Sequence, residues 1–164
     1  AGAFVDGGTV ALARSVGLDP AASLGENDSY RFFDELGADC LLLLESGLDA
    51  YQPGVVRASM GMVFWKPVVN ASFTEFASWR RGHGYRLYGT SAHAQEDYRR
   101  VAYRKPCILL LGSEREGLTA DQRQDCDILI SLPMAGRATS LNLAVAAGVL
   151  LYEMRNELGD IAAQ

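Results

Sequence analysis

The chain has 164 residues, 49% of them hydrophobic and 21% charged, with a formal net charge of −5. Those values fit one globular domain with a real core and exclude a disordered or low-complexity chain. No apolar run is long enough to span a bilayer, and three cysteines without a close pair form neither a disulfide framework nor a zinc pattern.

The first 24 residues are rich in Ala and Gly and show no clear strand pattern. With Ala at position 1 and no basic, apolar leader, residues 1–24 read as a linker or the remnant of an N-terminal extension, and residues 25–164 as the domain. A cytoplasmic, metal-free protein is expected. Tyr30–Leu36 is a helix candidate stopped by Gly37. Cys40–Leu44 is a continuous apolar run, the mark of a strand buried on both faces. Val68-Val69 and Tyr85–Tyr88 resemble it, and between them Thr74–Arg81 predicts a helix that ends at Gly82. Seven of the fifteen basic residues then fall between Arg80 and Lys105, against Glu96 and Asp97 alone. They form either a basic face on an acidic protein or a solvated set of helix ends and loops. Cys107–Leu111 and Ile128–Leu132 are further strands, and Thr119 caps a helix through Cys126. The last helix runs from about Ser140 to Leu158, with Gly159 beyond it. The alternation predicts an α/β fold: a mostly parallel sheet with helices on both faces and ligands beyond the carboxyl ends of its strands.

Two segments carry candidate chemistry. After Cys107–Leu111 comes Gly112-Ser113-Glu114-Arg115-Glu116-Gly117-Leu118-Thr119, where two glycines five apart precede a helix start. It has neither the Walker spacing nor the dinucleotide one. Such a segment is a ligand loop of unspecified type or a tight strand-to-helix turn. The second segment runs Leu132-Pro133-Met134, then Arg137-Ala138-Thr139-Ser140-Leu141-Asn142 into an apolar helix. Ser140 has the chemistry of an N-cap, which would put Asn142 in the first turn. There its amide either satisfies backbone groups or positions a substrate. Arg57 holds a ligand phosphate or ties a loop to the sheet. His83 and His93, without partners at metal spacing, read as surface histidines, and Trp65, Trp79 and Tyr85 as packing residues.

Together these segments resemble the SpoU/TrmH-type RNA 2′-O-ribose methyltransferases of the SPOUT superfamily. The resemblance rests on Gly112, Ser113, Glu114, Gly117 and Leu118, on Leu132-Pro133-Met134, on Ser140-Leu141-Asn142, and on Leu151-Tyr152-Glu153. Upstream, Tyr51-Gln52-Pro53, Val56–Gly61, Phe64 and Pro67–Val69 also look like the family, so the blocks cover roughly Arg31 to Glu157 in order. The resemblance implies a C-terminal trefoil knot, an exception to the rule against threaded chains, with Ala144, Ala146, Ala147 and Gly148 allowing close backbone packing. It further implies S-adenosylmethionine as cofactor, an RNA substrate with rRNA favoured slightly over tRNA, and a homodimer.

Carried over residue by residue, the resemblance makes Arg31, Glu114, Ser140 and Asn142 catalytic. Thr90, Gly112, Gly117, Leu132, Met134 and Leu141 border the cofactor, Arg57 contacts RNA, and no metal is bound. The first motif departs from the family: Gly25 stands where it has Asn, and Asn27 where it has Gly. Arg14 is a rival to Arg31, but no apolar strand follows it. The departure leaves a catalytically weak homologue, binding RNA or cofactor without transfer, as the alternative.

Overall fold

A computed structural model describes residues 9–13, 38–44, 50–51, 53–58, 62–65, 67–113, 116–136 and 141–159. Seven strands form one sheet: β1 (Thr9–Ala13), β2 (Ala38–Leu44), β3 (Val68–Ala71), β4 (Arg86–Thr90), β5 (Glu96–Asp97), β6 (Cys107–Leu111) and β7 (Ile128–Ser131). Their order is β3-β2-β1-β6-β4-β7-β5, and every adjacent pair is parallel. The helices are α1 (Pro53–Ala58), α2 (Phe73–His83), α3 (Ala120–Asp125) and α4 (Leu143–Glu157).

Continuous apolar runs make this sheet because both of its faces are covered. Successive side chains point to opposite faces. On one face Leu41, Leu43, Tyr88, Leu109 and Leu111 pack with Ala147, Leu150, Leu151 and Met154 of α4. On the other, Leu42, Leu44, Leu87, Ile108 and Leu110 pack with Phe76 of α2 and with Leu118. All five residues of β6 are buried, each large one contributing about 1.5–3 kcal/mol.

The structure corrects several expectations. Thr9–Ala13 lies inside the stretch read as a linker, yet it is an interior strand, paired with both β2 and β6. Ala-rich Thr-Val-Ala-Leu-Ala is too short and too small for its periodicity to stand out. The helix expected to end at Gly82 continues to His83, because the left-handed cap is Gly84 at φ 69°. At its start, Ser72 and Glu75 form a reciprocal capping box. Pro53–Ala58 is an additional helix, too short for a periodic signal. Gly148, expected to permit close packing, has nothing among the described residues within 4 Å of an added Cβ. The helix expected over Tyr30–Leu36 lies outside the described residues.

Candidate active site

The chain leaves β1 toward β2 and β3 but leaves β6 toward β7, so the crevice between these outgoing paths opens at the carboxyl ends of β1 and β6. Ligands of open parallel sheets bind at such a switch point. Next to β6 lies β4, and next to β4 lies β7. Their pairing, Gly89 with Leu110 and Thr90 with Ile130, brings three carboxyl ends together. The loops that follow are the two singled out in the sequence and the segment after Thr90.

The loop after β6 is held by its own backbone. Ser113 N–H donates to the Gly117 carbonyl (3.2 Å) and Gly117 N–H to the Ser113 carbonyl (2.9 Å). Ser113 Oγ, itself buried, accepts from Glu116 N–H at 3.1 Å. A Cβ at Gly112 would sit 2.2 Å from the Gly117 carbonyl carbon and 2.3 Å from Leu118 N. Gly117 adopts φ +67°, a region costly for other residues. Both glycines are therefore dictated by the loop's shape. Among the described residues nothing lies within 4 Å of a Cβ added at Gly117. Leu118 is buried and anchors the loop in the core, and Thr119 begins α3 with a capping box to Gln122.

At the end of β4, Thr90 is half-buried and its Oγ1 donates to the Leu110 carbonyl at 3.3 Å. Ser91 N–H reaches across to the Ile130 carbonyl at 3.0 Å, tying the segment after β4 to β7. Gly89 had no role in the sequence reading, yet a Cβ there would meet Cys126 Sγ at 2.3 Å. A glycine inside a strand was the available signal. Burial, and then the charge of Asp125, push the Cys126 thiol up to about 12, so it stays protonated and packs as an apolar group.

After β7, Leu132 and Met134 are half-buried, and Leu132 packs on the α4 face of the sheet. Asn142 differs from expectation: it is the cap of α4 and does not lie in the first turn. Its carbonyl accepts from Ala146 N–H (2.9 Å) and its Oδ1 from Val145 N–H (3.4 Å). Asn is a strong N-cap residue, and helix α4 starts at Leu143 accordingly. Leu141, just before it, is 39% exposed.

Gly112, Gly117, Thr90, Leu132 and Met134 thus belong to three adjoining strand ends, with Asn142 heading the helix that packs on β6. Arg31, Glu114 and Ser140 lie outside the described residues. Arg57 is exposed in the last turn of α1, and its guanidinium has no partner among the described residues. It follows β2, on the far side of β1 from the cluster. Trp65, read as a packing residue, is 79% exposed, while Trp79 stacks on His83 and meets buried Tyr85 at a tilt. His83 and His93 are exposed. Among the described residues no group of three His, Cys, Asp or Glu could hold a metal.

This arrangement has close counterparts. The SpoU rRNA Methylase family profile matches residues 29–152. The 23S rRNA (uridine(2479)-2′-O)-methyltransferase of Streptomyces viridochromogenes is 40% identical over 129 residues, covering 75% of this chain and 45% of that protein. The crystal structure of an AdoMet-bound rRNA methyltransferase from Sinorhizobium meliloti superposes with a TM-score of 0.81 at 36% identity, covering 92% of this chain and 56% of that one. A structure concerned with 2-OH methylation of C/U34 on tRNA superposes at 0.79 with 26% identity, covering 94% and 99%. This chain spans about half the length of the curated relatives it matches. It belongs to the SpoU rRNA Methylase family.

Proposed function

We propose that this chain is the catalytic domain of an S-adenosylmethionine-dependent RNA 2′-O-ribose methyltransferase working in the cytoplasm. The observation that carries the proposal is the convergence of the Gly112–Gly117 loop, Thr90 and the Leu132–Met134 segment at neighbouring strand ends. The residues present fit the cofactor. Among the described residues nothing crowds Gly117, and half-buried Leu132 and Met134 offer an apolar wall to a purine. Backbone groups of the Gly112 loop, with Thr90 and Leu141, would complete its binding.

When bound, S-adenosylmethionine supplies an electrophilic methyl group. The chain's task is to align a ribose 2′-hydroxyl with it and to favour negative charge on that oxygen. Arg31 serves here as a fixed cation that orients the oxygen or its neighbouring phosphate, because a guanidinium keeps its proton. Asn142 spends Oδ1 on the helix cap, so any donation to substrate comes from Nδ2. Glu114 and Ser140 position the same site, and Arg57 holds RNA phosphate outside it.

Identity of 40% to a 23S rRNA enzyme, against 26% to the tRNA-related structure, favours rRNA. The catalytic unit takes in β1 as well as residues 25–164, and its C-terminal part threads as a trefoil knot. The homodimer reading is supported by α4, whose Val145, Val149 and Tyr152 are 51%, 36% and 58% exposed along one stripe. A homologue that binds without transferring is the second reading, favoured by Gly25 and Asn27 in the first motif. Calorimetry with S-adenosylmethionine tests the site: saturable binding is expected, and no heat at millimolar cofactor would sink it. Arg31→Ala is expected to abolish transfer while leaving that binding intact; unchanged transfer would remove Arg31 from the site.

A further inference from the structure

The two-residue strand β5 pairs only with the end of β7, at Ile130 and Ser131. Among the described residues no strand pairs with the outer edge of Ile128 and Leu129 at the beginning of β7. Beside it lies a cavity of about 510 Å³, lined by Ile128, Leu129, Arg86, Arg100, Arg104 and Glu96, together with Val101, Ala102 and Asp127. Three arginines from three places in the chain converge there: Arg86 opens β4, Arg100 closes the turn after β5, and Arg104 lies on the return toward β6. Among the described residues none of the three guanidiniums makes an ion pair. The Arg86 Nε is shielded from solvent without any hydrogen-bond partner.

Their counter-charges are spoken for elsewhere. Asp127 receives Arg80 Nη1 at 2.8 Å and Leu87 N–H at 2.7 Å. Asp97 is bound by Arg99 at 2.6 Å, which holds its carboxyl down at about 2. Within the lining the three cations face Glu96 and Asp127, of which Asp127 is already paired with Arg80. A cationic concavity therefore persists on a chain whose net charge is −5, and concave walls concentrate such a field. Phosphate suits it, since guanidinium forks match phosphate oxygens. The groove lies beside Ile128 and Leu129 at the start of β7, whose four residues span roughly 13 Å, and β7 ends at the loops of the methyl-transfer site. A single RNA strand of a few nucleotides can bridge that distance.

We propose that this groove holds backbone phosphates of the substrate RNA at a contact separate from the methyl-transfer site, an assignment that rests on the RNA reading above. Recognition here is electrostatic and blind to sequence. It anchors the strand while the cluster at the strand ends acts on one ribose.

Fluorescence anisotropy with a dye-labelled single-stranded oligoribonucleotide of mixed sequence, repeated over a range of salt concentrations, reads this contact. The triple variant R86Q/R100Q/R104Q is expected to weaken binding on the order of 10- to 100-fold at low salt. It also flattens the slope of log K against log salt by about 2, because each single-strand contact contributes about 0.7. The matching Lys triple variant keeps the charge and most of the affinity. Calorimetry with S-adenosylmethionine gives the same affinity for all three proteins. Should the Gln triple variant melt early, R100Q/R104Q alters only exposed side chains and is expected to flatten the slope by about 1.4. Equal affinity and slope in wild type and Gln variant would overturn the groove alone. Failure of the wild type to bind RNA at all would overturn the RNA reading and the groove together. Binding of inorganic pyrophosphate that is lost in the Gln variant, with RNA affinity unchanged, would give the groove to a small anion and overturn the proposal.

Discussion

Asn142 joins a structural duty to a proposed chemical one, and substitution separates them. Asn142→Ala removes the cap of α4 and is expected to cost about 1 kcal/mol of stability as well as methyl transfer. Asn142→Asp keeps a good capping oxygen but loses the amide donor. It is expected to melt like wild type and to lose transfer at least 10-fold; full activity in the Asp variant would reduce Asn142 to a cap. Gly112 offers a sharper case. A Cβ there would stand 2.2 Å from backbone, so Gly112→Ala is expected to abolish cofactor binding by calorimetry. Gly117→Ala meets no neighbour among the described residues and faces its positive φ, at about 1–2 kcal/mol.

Helix α2 is tied to the start of β7 by Arg80, which is 7% exposed and pairs with both Asp125 and Asp127. Asp127 also accepts from Leu87 N–H, so this clamp joins α2, α3, β4 and β7 at the edge of the sheet opposite the ligand loops. Arg80→Ala would leave Asp127 without its cation, while Asp125 keeps Arg81, and is expected to cost about 2 kcal/mol in urea denaturation. Cofactor affinity measured well below the transition should stay unchanged. Elements of this kind differ in how plainly the sequence shows them. Strands such as Cys107–Leu111 are legible because burial on both faces forces an unbroken apolar run. The cap at Thr119 is legible because its side-chain chemistry is local. β1 is not, since Ala-rich strands owe their place to neighbours distant in the chain. The cap at Asn142 was misplaced by two residues because Ser140 is an equally good capping residue. The partnership of Gly89 with Cys126 is tertiary, and only the glycine itself hinted at it. In the candidate site, Gly112 and Gly117 could be read from spacing, whereas the adjacency of Thr90 and Leu132 needed the strand order.

At the scale of the whole molecule, α4 buries one side against the sheet and leaves Val145, Val149 and Tyr152 facing outward. A charge in the middle of that stripe cannot be buried without a partner, so Val149→Glu is expected to convert a dimer into a monomer by light scattering. Persistence of the dimer in that variant would place the interface elsewhere. In the proposed function a cofactor site at three strand ends meets an RNA ribose aligned by Arg31 and Asn142. Labelled methyl transfer from S-adenosylmethionine to ribosomal RNA tests that union most directly. A 2′-O-methyl group removes the nucleophile for alkaline cleavage of the next phosphodiester. The predicted result is label recovered in alkali-resistant dinucleotides, and label in mononucleotides, or none incorporated, would contradict it.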